Sequence, residues 1–226
     1  MKKLFIATAL AALSTASASA ATISYVYSNP EEATELNQTG TLGFFNSNLG
    51  TLTGVEFTAF GRGTTSITLT NNTTQEQTAS AESSVFLNFF SSDLALRGIF
   101  NADNPFLTLS FDASPNFSIP AGGTANTSPT VASDSQSLDS ALYSGLLSLQ
   151  TVGDRTFDVT CTSDTTLTLH GGGGNIQAGQ TTTAGCGGEI TYTYDEASTT
   201  NVVPEPATLA LLGLGLAGLA ARRRKD

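Results

Sequence analysis

The side chains of this 226-residue chain that could do chemistry are mostly carboxylates. Asp103, Asp112, Asp134, Asp139, Asp154, Asp158 and Asp164 could in principle supply the acid pair that cleaves a glycosidic bond. Their spacing selects no two of them, and acidic loops are ordinarily solvated, so the expectation is that the chain is not an enzyme. Calcium has one candidate turn, Asn101-Ala102-Asp103-Asn104. No EF-hand loop is present, and glycines 171–174 lack the aspartate of a Gly-Gly-x-Gly-x-Asp repeat, so a plain turn is preferred and no cofactor is expected. The glycine run also lacks the lysine and following Ser or Thr of a phosphate-binding P-loop.

Cys161 and Cys186 are the only cysteines, 25 positions apart, and His170 is the only histidine. One reading is a thiol nucleophile beside His170, with no second histidine to complete such a site. The other is a disulfide, which requires an oxidising compartment and would stabilise the fold by about 3.5 kcal/mol on the chain-entropy model. The spacing and the export signals below favour the disulfide, and His170 reads as a loop residue.

The elements that must position these groups read as strands. Apolar and polar residues alternate in Thr22-Ile23-Ser24-Tyr25-Val26-Tyr27, Val55-Glu56-Phe57-Thr58 and Ser66-Ile67-Thr68-Leu69-Thr70. The pattern recurs in Leu107-Thr108-Leu109-Ser110-Phe111, Thr166-Leu167-Thr168-Leu169 and Ile190-Thr191-Tyr192-Thr193-Tyr194. Period two, with one face buried and one wet, is the mark of antiparallel sheets. Short strands between Gly, Asn and Ser clusters predict an all-β chain, an antiparallel β-sandwich with jelly-roll or immunoglobulin-like topology left open. Gly61-Arg62-Gly63 predicts a hairpin turn between two of these runs. Leu138, Leu142 and Leu146, four apart, predict a helix over residues 137–149, and residues 121–135 before it a long surface loop.

Both ends are addresses. Lys2 and Lys3 precede an apolar run over residues 4–13 and an Ala18-Ser19-Ala20 cleavage site, which predicts a signal peptide over residues 1–20 and a mature chain from Ala21. At the other end Val203-Pro204-Glu205-Pro206 leads into an apolar stretch, residues 207–221, and then Arg222, Arg223, Arg224 and Lys225. As a helix the stretch measures roughly 22 Å, short of a ~30 Å hydrocarbon core but able to insert if the bilayer thins or the cations snorkel. The basic block belongs on the cytoplasmic side and the rest outside. A permanent C-terminal anchor is the alternative to a processed tail.

This tail resembles the PEP-CTERM sorting signal, which implies recognition and cleavage by exosortase, a membrane-embedded protease, after export through the Sec translocon and signal peptidase. The same kind of tail also carries the description of an ice-binding protein C-terminal domain. Within the body, Phe45-Asn46-Ser47-Asn48-Leu49-Gly50-Thr51-Leu52-Thr53-Gly54-Val55 and the closing Thr191-Tyr192-Thr193-Tyr194 resemble the choice-of-anchor E domain, an extracellular module with no assigned catalytic residues. The expected organisation is therefore signal peptide 1–20, choice-of-anchor E-like domain 21–200 and sorting segment 201–226.

The body carries 17 acidic residues, three arginines (Arg62, Arg97 and Arg155) and no lysine, a net charge of −14. That excludes a nucleic-acid footprint and disfavours anionic lipid. Sugar binding would suit a protein sent to an exopolysaccharide matrix, but the chain has no Trp and its five Tyr fall mostly within alternating strands. Thr166/Thr168 and Thr191/Thr193 hint at the outward Thr array of an ice-binding face, though alternating Thr is also an ordinary solvent face. Abundant Ser and Thr permit O-glycosylation. The expected role is a structural or adhesive part of the envelope or biofilm, reached through an inner-membrane intermediate. A carbohydrate- or ice-binding module is the alternative, and a secreted carboxylate-dependent hydrolase a further one.

Overall fold

The computed structural model describes residues 20–100 and 105–197. In chain order the first strands are β1 (Ala20–Ser28), β2 (Glu32–Ala33), β3 (Asn37–Gly43), β4 (Phe45–Asn46), β5 (Gly50–Asn71) and β6 (Gln77–Ser91). A short helix α1 (Leu94–Phe100) precedes β7 (Leu107–Ser110), β8 (Phe117–Ile119), β9 (Thr124–Asn126) and β10 (Thr130–Asp139). Then come β11 (Gln150–Thr151), β12 (Thr156–Gly171) and β13 (Ile176–Glu196). The all-β sandwich expected from the alternation is what forms. One sheet runs β1-β13-β5-β10, with β2 against β13 and β9 against β5. The facing sheet runs β3-β12-β6-β7, with β8 against β6, and β4 and β11 form a small parallel pair.

Alternation carries the core. Val55, Phe57 and Ala59 point inward from β5 and join Val85, Leu87 and Phe89 from β6 and Phe157 and Val159 from β12, while Ile67 and Leu69 join Ala79, Ala81, Ile119 and Ile176 in a second cluster. At one end Phe100 closes the core, its ring 5.5 Å from Phe57 and 5.1 Å from Phe106. It arrives on α1, which the sequence reading did not anticipate. The signal was Asp93, whose carboxylate accepts the Ala95 amide at 2.8 Å and caps the helix.

Three local expectations are corrected. Gly61-Arg62-Gly63 is not a turn: β5 passes straight through it, paired to β13 on one side and β10 on the other. The glycines answer to packing, since a Cβ at Gly61 would run into the Leu87 side chain of the facing sheet. Residues 137–149 are not a helix. Leu138 pairs with Phe57 inside β10, Leu146 is buried in a 3₁₀ turn (Ser144–Ser148), and Leu142 between them is 83% exposed. A ladder along β5 satisfies the backbone over Thr130–Asp139, and the period-two burial of that ladder overrides the four-residue leucine spacing. For the same reason residues 121–135 are not one loop but contain β9 and the start of β10.

The glycine run is a corner. Gly171, Gly172, Gly173 and Gly174 all have positive φ, between 56° and 85°, as the chain leaves β12 in one sheet and enters β13 in the other. Cys161 on β12 and Cys186 on β13 are joined by a disulfide, with Cα atoms 6.5 Å apart, that ties the two sheets together. Replacing both cysteines with Ala should lower unfolding free energy by about 2–4 kcal/mol in urea titrations. An unchanged midpoint would show that the staple contributes nothing.

Tyr192 is fully buried and its hydroxyl donates to the Gly43 carbonyl at 2.8 Å. Burial pushes the phenols of Tyr192 and Tyr27 well above the ordinary tyrosine value of 10.0. Unfolded, both ionise near pH 10, while the folded chain keeps them protonated. The stability they contribute is therefore complete below about pH 10 and is lost as pH rises from there towards the folded values. The urea midpoint should fall above about pH 10, and Tyr27→Phe with Tyr192→Phe should flatten the fall. A midpoint level to about pH 11.5 would contradict this.

Candidate functional site

Among the described residues, the carboxylates named from the sequence are spread over the fold. Asp158 and Asp164 lie six residues apart on β12, roughly 20 Å along the strand. Asp158 accepts from Thr41 at 2.9 Å, and Asp164 from Asn88 at 3.3 Å. Asp134 and Asp139 stand an odd number of residues apart on β10 and face opposite ways. Asp154 accepts from Asn46 at 3.0 Å, in the connection just before β12. Among the described residues no group of three or more His, Cys, Asp or Glu is placed to hold a metal ion. His170 is exposed at the end of β12, its Nε2 3.5 Å from Glu82, while Cys161 is buried in the disulfide.

Ala20 and Ala21 begin β1, paired with Asp195 and Tyr194. Ala18, the turn at residues 101–104, Val203, Pro204, Glu205, Pro206 and the basic residues Arg222, Arg223, Arg224 and Lys225 lie outside the described residues. Among the described residues no helix is long and apolar enough to cross a membrane.

The concavity that sequence reasoning missed is a groove of about 440 Å³ on the outer face of the β1-β13-β5-β10 sheet. One wall is a ridge on β5, where Phe60 and Arg62 project from the same face, with Ser135 and Ser133 beside them in register on β10. Their neighbours on β13 are Gly187 and Gly185, which have no side chains, so the sheet sinks between this ridge and the segment Ser28-Asn29. Both glycines are required by close approach. A Cβ at Gly185 would lie 2.8 Å from the Pro30 carbonyl, and one at Gly187 would lie 2.6 Å from the Tyr27 carbonyl and collide with the Phe60 ring.

The polar groups of the groove are held by the chain around it. Glu31 accepts hydrogen bonds from Thr64 at 3.0 Å and Thr183 at 2.9 Å, and its other oxygen lies 3.6 Å from Nε of Arg62. The Arg62 side chain is nevertheless 54% exposed, so its remaining N–H donors face solvent. Asn29 donates its backbone N–H to the Cys186 carbonyl at 3.0 Å, and its Nδ2 is buried with no hydrogen-bond partner. On the opposite sheet Phe86 and Phe90 project outward from β6 around Asn88, with Phe90 47% exposed, but no comparable hollow adjoins them among the described cavities. Thr191 and Thr193 do face outward, but the outer face they share also carries Phe60, Arg62 and Glu189, so it is not a uniform Thr array.

The tail is what comparison with known proteins decides. Residues 202–225 match the PEP-CTERM protein-sorting motif. The motif marks an exported protein that passes the membrane, with exosortase as the partner of its tail. The matched residues lie in the tail and do not reach the body, whose expected likeness to the choice-of-anchor E domain this match does not support. No curated protein matches the chain. Among solved structures, infectious bursal disease virus Gt strain is 11% identical, with 88% of this chain and 47% of that one covered and a TM-score of 0.15. The parasporin-2 toxin of Bacillus thuringiensis is 14% identical, covering 77% of this chain and 70% of that one, with a TM-score of 0.19. The chain thus spans about half the length of the viral protein it is compared with, and neither likeness carries an argument about function.

The packing around the trough generates a matched pair of substitutions. Gly187→Ala should cost about 1–3 kcal/mol in urea titrations, because backbone on one side and an aromatic ring on the other must shift. Gly179→Ala, outward on the same strand with nothing within 4 Å, should change stability by less than about 0.5 kcal/mol. Equal effects would mean the trough is not tightly built.

Proposed function

We propose that this chain is a component of the cell envelope or exopolysaccharide matrix, with a structural or adhesive role rather than a catalytic one. The observation that carries the reading is the sorting motif at residues 202–225, which lies C-terminal to a single β-sandwich body. The physics of the body supports it. A net charge of −14 without one lysine keeps copies apart and soluble outside the cell, and the Cys161–Cys186 bond suits an oxidising compartment. On this reading the Sec translocon and signal peptidase act first, at Ala18 to Ala21. Exosortase then acts at Val203-Pro204-Glu205-Pro206 while the basic residues hold the tail at the cytoplasmic face.

A carbohydrate-binding role is the second reading, supported by the groove beside Phe60 and Arg62. Intact mass of the protein recovered from the cell surface and medium, after glycan removal, tests the sorting route. The expected product begins near Ala21 and ends close to Pro204-Glu205-Pro206. Substituting those three residues by alanine should leave the chain in the membrane. Recovery of a product that still carries residues 207–226 would replace sorting by permanent anchoring.

A further inference from the structure

We infer that the groove on the outer face of the β1-β13-β5-β10 sheet is a binding site for a neutral polysaccharide chain, with Phe60 as its stacking surface and Arg62 as its orienting donor. The inference rests on the proposal that the protein works in an exopolysaccharide matrix, and names the ligand of that role. A pyranose ring offers an apolar face of C–H groups and a rim of hydroxyls that both donate and accept. A complementary site needs an aromatic surface bordered by donors and acceptors within reach of one ring, in a concavity long enough to accept a chain.

The groove supplies the aromatic surface and the polar groups beside it. Phe60 lies above the bare backbone of Gly187, so its position is set by the sheet and not by a flexible loop. Arg62 stands two residues along the same face, roughly 7 Å away, and is held by Glu31, which Thr64 and Thr183 hold in turn. Asn29 lines the far wall, and Ser133 and Ser135 offer hydroxyls next to the ridge. Groups positioned before binding lose little conformational freedom when the ligand arrives.

Charge selects among sugars. Arg62 is offset by Glu31, and the body as a whole is at −14. A polymer of uronates or sulfated sugars would be repelled, whereas an uncharged one meets donors and acceptors in mixed order with no net opposing field.

Affinity electrophoresis and calorimetry on the protein recovered from the surface or medium test this, using dextran, amylose, galactomannan and xyloglucan as neutral probes and alginate and polygalacturonate as acidic ones. The expected result is binding to at least one neutral probe and to neither acidic one. Phe60→Ala and, separately, Arg62→Met should each weaken binding by about tenfold or more. Phe90→Ala, on the opposite sheet, should leave it unchanged. Each variant is compared by urea midpoint, and Arg62→Met, at an exposed position, keeps the test valid if Phe60→Ala fails to fold. No binding to any neutral probe, preference for an acidic probe, or loss of binding in Phe90→Ala with none in Arg62→Met would overturn the assignment. Tail processing is read separately by mass. A correctly trimmed protein with no affinity for the neutral probes sinks the groove assignment alone, and an untrimmed one that binds sinks the sorting route alone.

Discussion

The long antiparallel ladder between β5 and β13 is the constraint on which the rest of the molecule depends. It runs from Gly50 opposite Glu196 to Asn71 opposite Ile176, with a single irregularity near Thr193 and Tyr194. Because successive side chains alternate faces, that one register decides which residues enter the core and which face water along the whole length of the sheet. It sends Val55, Phe57, Ile190 and Tyr192 inward and lays Phe60, Arg62, Gly185 and Gly187 side by side outward. A slip by one residue would bury Arg62 and Glu56 and expose Phe57. The register is therefore held by the cost of burying charge as much as by the gain of burying apolar surface.

Two further features depend on this ladder. The disulfide joins β13 to β12, so it fastens the facing sheet to a strand that is paired along both of its edges. The four-glycine corner lets the chain pass from β12 to β13 without a long connection, since only residues without a Cβ occupy that many successive positive-φ positions at little cost. Together they confine the segment between Cys161 and Cys186 at both ends and at its bend.

Charge and chemistry are separated in the same way. Asp139, Asp154, Asp158 and Asp164 each engage a hydroxyl, amide or backbone group of their own, an arrangement suited to solvation and not to shared protons. The positioned polar cluster is instead the one around Arg62, where an arginine, a glutamate and two threonines from three separate parts of the chain converge. An export label at the tail and a built groove on the body are independent devices: one concerns where the chain is sent, the other what it can hold there.

Much of this was legible in the residues. Alternation such as Ile190-Thr191-Tyr192-Thr193-Tyr194 is a local property, and it determined the all-β class and most inward positions without reference to any partner. The Pro-Glu-Pro, apolar and basic tail was likewise readable, because such a signal is recognised as a linear string. Two lone cysteines in an exported chain pointed to the staple. The three-dimensional partners were not readable. Gly61-Arg62-Gly63 has the composition of a turn, and only pairing on both edges and the Leu87 side chain opposite show why it is extended. Leu138, Leu142 and Leu146 have helical spacing, yet strand pairing with β5 claims the first and leaves the second in water. The groove was hidden for the same reason. Its walls come from Ser28-Asn29, Phe60-Arg62 and Ser133-Ser135, and its floor from two glycines whose contribution is the absence of a side chain. Period and composition are local and can be read along the chain. Which strands meet, and at what register, is a sum over distant contacts, and only the folded structure evaluates it.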